Sequence, residues 1–357
     1  MLLLRPARPL DGDDLYELAL STGGGLTTLP PDREILASKI EQSVKSFASA
    51  SGPDGDDYYL FVLEDVERGK VVGTSGIFAS VGHSKPFYSY RILHLTQLSH
   101  NPDMKVDTKL LQLVNDYAGT TELGTLFLHP DYRKGATGAL LSKARYLMIG
   151  AFPERFSQKI MAEIRGWTDA SGRSPFWEAI GRHFFGMDFH DADRINGMGN
   201  SQFIADLMPK FPIYTNLLPQ EAQDVIGKPH DDARGAVRLL TEEGFRAAGA
   251  VDIFDGGPCY EVPVRDIRTL RKARRVHLAG ISSQQDGEPQ KPPMMLVASL
   301  QWPDVRMLAV PVVQTQEQAQ ADHEGIILPP EAARVLGVKI GDPLMIAPLN
   351  KARSGKK

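Results

Sequence analysis

The run Arg133-Lys134-Gly135-Ala136-Thr137-Gly138 sets two cations in a glycine-containing turn just ahead of an apolar stretch. Where such a turn opens a helix, backbone N–H groups and the positive end of the helix converge, and the ligand that suits them is a phosphate group. Two carboxylates stand on β-like runs, Glu122 within 120–128 and Glu163 within 160–167. Each could take a proton from an amine or grip a guanidinium through a bidentate pair, and structural salt bridges are the alternative use. Arg165 follows Glu163 by two residues and so shares its strand face, where it could pair with Glu163 or hold a carboxylate. Arg91 is a second candidate for a carboxylate. His230 has a side chain that titrates near neutrality, but read alone it is a loop histidine before Asp231-Asp232.

The elements that position these residues follow from apolar periodicity and its punctuation. Residues 1–4 form a first strand, Asp11 caps a helix through Leu15, Leu18 and Ala19, and Asp32 caps a second. Between the helices lies the flexible Ser21-Thr22-Gly23-Gly24-Gly25, which is either a lip over a substrate or a helix stop. Strands are expected at 58–64, 71–77 and 87–97, then at 110–114 and 120–128 as the two arms of a hairpin around Asn115-Asp116-Tyr117-Ala118-Gly119. The phosphate turn leads into a helix at 139–151, followed by a strand at 160–167, a short helix at 175–180 and a strand at 184–189. This order describes an α/β (α+β) protein with helices on a mixed, largely antiparallel sheet. Residues 174–185 and 237–254 both read as helix–Gly–strand, an echo that admits duplication of the fold. Past Cys259 the runs at 294–300, 307–313, 326–328 and 344–348 read as a small β-rich, barrel-like domain, and 351–357 as a frayed tail.

Composition narrows the classes. The chain has 357 residues, 42% hydrophobic and 24% charged, enough for more than one domain of an ordinary globular protein. A net charge of −4 argues against a nucleic-acid partner. The densest apolar run, 146–152, is too short to span a membrane, and residues 1–4 lack the length of a signal peptide. The single cysteine, Cys259, rules out an intrachain disulfide and a Cys-based zinc cluster, so a reducing cytoplasm is the expected home. His183 and His190 with Asp188, Asp191 and Asp193 match no metal-ligand spacing, and the expected site is metal-free.

The layout resembles the GNAT acyltransferases, whose pyrophosphate turn has the form Arg/Gln-x-x-Gly-x-Gly/Ala. Here the inner glycine position holds Ala136, so a left-handed conformation there would cost about 1 kcal/mol unless Gly135 supplies it. Longer blocks resemble the arginine N-succinyltransferase family: Ser21-Thr22-Gly23-Gly24-Gly25-Leu26-Thr27, Thr125-Leu126-Phe127-Leu128, Ser174-Pro175-Phe176-Trp177, Gln220-Glu221-Ala222-Gln223-Asp224-Val225-Ile226-Gly227 and Asp252-Ile253-Phe254-Asp255-Gly256-Gly257-Pro258. The resemblance implies succinyl transfer from succinyl-CoA, a co-substrate and not a tightly bound cofactor, to the α-amino group of L-arginine. It implies His230 as proton donor and Leu126 as a contact of succinyl-CoA, with Phe127, Arg133, Lys134, Gly135, Ala136, Thr137 and Gly138 completing the coenzyme site. Glu122 and Glu163 become catalytic candidates on the strands that flank the acyl channel, and Gly24, Gly25 and Arg165 become substrate contacts.

The helix that follows the fifth strand offers Phe176 and Trp177, which have no acidic proton, so the leaving thiolate needs another donor. The implied division is an acyl-CoA-binding domain at 1–195, a second GNAT-like half carrying the histidine at 196–258, and the β-rich domain at 259–350. A homodimer or pairing with a homologous chain is expected. Three other readings compete: ornithine or another amine as acceptor, a non-catalytic partner subunit, and DNA binding through 328–346. That last segment looks like the swapped hairpin of AbrB-type proteins, but it is equally a plain barrel-building unit.

Overall fold

Residues 58–63 and 71–77 are apolar or small at nearly every position, as expected of strands covered on both faces, and the computed structural model places them at the centre of the sheet. The structure describes residues 1–23, 26–49, 55–197, 207–282, 292–314 and 324–349. Its strands are β1 (Leu2–Pro6), β2 (Tyr58–Asp65), β3 (Lys70–Phe78), β4 (Ser89–His100), β5 (Asp103–Val114), β6 (Thr121–Leu128), β7 (Lys159–Glu163) and β8 (Ile213–Tyr214). They continue with β9 (Arg246–Val251), β10 (Pro258–Pro263), β11 (Arg274–Ile281), β12 (Met294–Ser299), β13 (Met307–Pro311), β14 (Val313–Gln314), β15 (Gly325–Leu328) and β16 (Pro343–Pro348). All join one 16-stranded sheet in the order β14-β15-β11-β16-β12-β13-β1-β2-β3-β6-β7-β10-β9-β4-β5-β8. Among the described residues, only β6–β7 and β11–β15 are parallel pairs.

Helices α1 (Gly12–Leu20) and α2 (Arg33–Ala48) cover one face of β2, β3 and β6, and α3 (Thr137–Ala151) covers the other. Asp32 caps α2 by accepting the N–H groups of Glu34 and Ile35. Asp11 does not cap α1. Its carboxylate takes Arg5 through Nη1 and Nη2, both at 2.8 Å, because the buried Arg5 on β1 needs a partner more than an exposed helix end does. Further along come α4 (Pro175–Ala179), α5 (Gly181–Phe185), α6 (Phe189–Gly197), α7 (Gln220–Gln223), α8 (Arg234–Glu243), α9 (Arg268–Lys272) and α10 (Pro330–Leu336).

Three expectations are corrected. Residues 110–114 and 120–128 are not arms of one hairpin: β5 pairs with β4 from Ser89↔Val114 to His100↔Asp103, while β6 pairs with β3 and β7. The connection at 115–119 turns away through Gly119 (φ +81), whose N–H is held by the Val81 carbonyl. Residues 184–189 are not a strand. Phe185 stacks on Trp177 with ring centroids 5.4 Å apart, a contact made from the α5 turn, and Gly186 in the left-handed region ends it. The first member of the echo is therefore helix–helix, whereas α8, Gly244 (φ +107) and β9 do form helix–Gly–strand. Finally, the strand read at 160–167 ends as β7 at Glu163, and residues 164–167 leave the strand to line the site.

At the C-terminal end, α10 buries Ala332, Ala333, Val335 and Leu336 against β11–β16, so the segment 328–346 is spent on building this layer. The layer joins the rest of the sheet where β13 pairs with β1. The tail 351–357 and Gly24-Gly25 lie outside the described residues. Among the described residues, no helix is long and apolar enough to cross a membrane.

Candidate active site

Parallel strands β6 and β7 are paired only at Thr121↔Ile160 and Glu122↔Met161. Beyond that point they separate, leaving the β7-facing edge of residues 123–128 without a strand. A bulge sets the geometry: Thr125 and Leu126 together oppose Ser75, and Thr125 sits at φ +52, a conformation costly for a β-branched residue. The Tyr58 hydroxyl holds it through Thr125 Oγ1 at 2.9 Å. Leu126, the second residue of the bulge, packs towards α3, and Phe127 faces the α1–α2 side.

The turn after β6 leaves backbone donors open. Gly135 has φ +62, whereas Ala136 has φ −106, so the left-handed residue is the glycine and Ala136 carries no strain. The N–H groups of Gly135, Ala136, Gly138 and Ala139 have no protein acceptor among the described residues, and no side chain caps α3. Four such donors at the start of a 15-residue helix form an arrangement that can receive an anion. Arg133 binds the Leu128 carbonyl through Nε at 2.9 Å and lies over the Phe127 ring, which fixes the turn to the strand end and leaves its terminal nitrogens outward. Lys134 and Thr137 complete the exposed rim.

His230 enters from the opposite side of the split. Ile164 and Gly166 direct their N–H groups towards β10 and Asp255, so by alternation the backbone groups of Arg165 and Trp167 point to the other edge, the side of β6. The segment 228–230 fills that side: Trp167 N–H donates to the Lys228 carbonyl, Gly166 bridges Pro229, and His230 N–H donates to the Arg165 carbonyl at 2.8 Å. His230 Nδ1 accepts the Asp232 N–H at 3.2 Å, leaving the hydrogen of the neutral ring on Nε2. Burial and the neighbouring Arg165 push the His230 pKa below its ordinary value. The half-buried Arg165 guanidinium makes no hydrogen bond or ion pair among the described residues and is free for a ligand. Arg91, by contrast, is committed to Asp116 at 2.6 Å and the Ala248 carbonyl at 2.7 Å.

The structure also brings Glu122 and Glu163 together. On the α1–α2 face, Glu122 interacts with Lys39 of α2 and with Asp252, and Glu163 with Asp252, Glu122 and Asp255. Burial raises Glu122 to about 7 and raises Glu163 well above the usual carboxylate range, and the neighbouring carboxylates add to both. Cys259, opposite Glu163 on β10, is its one hydrogen-bond partner among the described residues, with Sγ 3.8 Å from Oε1. Thr28 reaches the same face, since a β-carbon at Gly124 would stand 3.9 Å from Thr28 Cγ2. Asp252, Asp255 and Lys39 were not legible as site residues. Asp252 and Asp255 sit in a block that reads as a tight turn, which it also is (Gly256, φ +69), and Lys39 is one cation on a polar helix face.

A mostly antiparallel sheet with one splayed parallel pair, an anion turn opening the next helix and a histidine across the split defines a GNAT-like acyltransferase. The pattern of the family described as "Arginine N-succinyltransferase beta subunit" matches residues 2–269, and the chain belongs to the arginine N-succinyltransferase family. It is 41% identical over 351 residues to "Arginine N-succinyltransferase" of Yersinia pestis (strain Pestoides F), covering 98% of each chain. It is also 41% identical over 354 residues to "Arginine N-succinyltransferase subunit beta" of Pseudomonas aeruginosa, covering 99% of this chain and 100% of that one. The solved structure of "arginine/ornithine succinyltransferase subunit AI" from Pseudomonas aeruginosa superposes with a TM-score of 0.86 at 33% identity, over 98% of this chain and 99% of that one.

Proposed function

We propose that the protein transfers the succinyl group of succinyl-CoA to the α-amino group of L-arginine. The observation that carries this reading is the placement of the 228–230 segment in the split between β6 and β7, with His230 bonded to the Arg165 backbone there. The co-substrate supplies an activated acyl group, and the chain's own residues do the rest. The α3 turn holds the pyrophosphate, and the free edge of β6 at Leu126 offers a backbone N–H to the thioester carbonyl. Arg165 holds the succinyl carboxylate.

The amine approaches along the face that Glu163 shares with Arg165, two residues further on. The new C–N bond forms as the C–S bond breaks. One of the two protons lost by nitrogen goes to Glu163. The sulfur leaves with a proton from the His230 imidazolium, which the second nitrogen proton restores. The Asp232 carboxylate, 3.6 Å from His230 Nδ1, is the counter-charge of that imidazolium. In the imidazolium Nδ1–H faces that carboxylate, the Nε2 proton goes to the sulfur, and the second nitrogen proton returns to Nε2.

Arginine-dependent release of free thiol from succinyl-CoA, with N2-succinylarginine as product, is the expected result for the purified protein. No thiol release above the amine-free rate would overturn the reading. Ornithine is a second acceptor to include, because the structural relative from Pseudomonas aeruginosa is named for both amino acids.

A further inference from the structure

Glu122 is 9% exposed, and its carboxylate makes no hydrogen bond or ion pair among the described residues. A buried carboxylate left in that state is costly unless something arrives to pair it. Its surroundings show what would suit. Asp252, just beyond the end of β9 on the far side of β7 and β10, lies within interaction range of both Glu122 and Glu163. One Asp252 oxygen, Oδ1, accepts the N–H groups of Phe254 at 2.7 Å and Asp255 at 2.9 Å, and the Asp255 carboxyl lies within hydrogen-bond range of the same side chain, which anchors it. The resident cation is Lys39, a half-buried side chain from α2 whose Nζ lies 5.6 Å from the Tyr58 ring centroid and forms no ion pair with Glu122. The Thr28 hydroxyl, at the edge of the same space, is buried without a partner among the described residues.

Resting on the reading of an amine acceptor given above, we propose that Glu122 and Asp252 form the receptor for the cationic side-chain end of that acceptor, a guanidinium in L-arginine. The guanidinium is planar and carries paired N–H donors, so it can take a carboxylate from each of two elements that no other cation among the described residues bridges. The position also fits the chemistry. Glu122 lies at the closed end of the split, where β6 and β7 are still paired, while Arg165 and His230 stand at its open end. A substrate with its side chain on Glu122 and Asp252 therefore presents its α-amine towards Glu163 and the thioester. Selectivity for a basic amino acid then arises from two residues that touch neither coenzyme nor reacting atoms.

The test compares L-arginine with L-citrulline, in which a neutral ureido group replaces the guanidinium, by calorimetric titration of the enzyme saturated with coenzyme A. Citrulline is expected to bind at least about 100-fold more weakly than arginine, since a buried carboxylate pair is left uncompensated. Glu122→Gln and Asp252→Asn should each raise the arginine Kd at least about tenfold and leave the coenzyme A Kd unchanged. Asparagine keeps an Oδ1 acceptor for the Phe254 and Asp255 N–H groups. If Asp252→Asn fails to fold, Glu122→Gln carries the test, because Glu122 has no partner to lose among the described residues. Equal affinity for arginine and citrulline, or unchanged arginine Kd in the variants, would overturn the proposal. Selective binding without thiol release would leave this receptor standing and remove the proposed reaction, while thiol release with both amino acids alike would do the reverse.

Discussion

At the scale of single residues, the site separates charge along the split. His230 and Arg165 stand at its open end, and Glu122 lies where β6 and β7 are still paired, in interaction range of Glu163. For His230→Ala the expected outcome is a loss of about 10²–10⁴ in kcat, the range for a removed general acid, with the coenzyme A Kd little changed. Rapid-quench turnover and a direct titration check the two halves. A second residue-scale prediction concerns pH. Glu122 is raised to about 7 by burial, with Lys39 opposing and Asp252 adding. A carboxylate with a raised folded pKa stabilises the fold only while protonated, so its contribution is full below the ordinary carboxylate range and is gone once pH passes about 7. Arginine supplies the missing counter-charge to the ionised form. The arginine-induced rise in Tm should therefore grow between about pH 6 and pH 8, and Glu122→Gln should flatten that growth. A shift independent of pH in the parent protein would contradict the assignment.

At the scale of elements, the anion turn gives a paired prediction. Gly135→Ala forces an L-residue to φ +62 and should weaken succinyl-CoA binding several-fold, in line with a cost of about 1 kcal/mol. Ala136→Gly, at an unstrained φ of −106, should leave it nearly unchanged. KM for succinyl-CoA in the two variants checks the contrast, and equal effects would mean that the turn is not held in this form. The turn shows how unevenly the site was legible. Residues 133–138 announce an anion turn because glycine and cations before an apolar helix leave few other uses, and the Glu163–Arg165 spacing fixes a shared face by period alone. The split itself was not legible, because it depends on β6 and β7 pairing at two positions and on a bulge at Thr125 that Tyr58 holds from another strand. Long-range pairing also decided the missed hairpin, since the apolar residues at 110–114 suit β4 as well as they suit any neighbour in sequence. Asp252 escaped because an aspartate beside glycines is explained fully by its own turn.

For the whole molecule, the proposed division into 1–195, 196–258 and 259–350 is one of connectivity and not of cores. The last boundary falls at the start of β10, a strand that lies between β7 and β9. The core shared by α3, β2 and β6 contains Leu296, Ala298, Met307, Met345 and Ala347 from the C-terminal layer. The helix whose N-terminus forms the anion turn is thus packed from below by strands far along the chain. Glu243, 1% exposed, ties three helices at the same place: it accepts from Thr269 N–H at 2.7 Å and Thr269 Oγ1 at 2.8 Å, and pairs with Lys143 at 2.9 Å. Unfolding of the C-terminal layer would remove a face of α3 and break the proposed coenzyme site with it. The expected outcome is a single calorimetric transition that coenzyme A raises as a whole, and Leu296→Ala should lower it by the equivalent of about 2–5 kcal/mol. Two resolved transitions, with only the first shifted by coenzyme A, would instead show that the β-rich layer folds independently and that α3 keeps its turn without it.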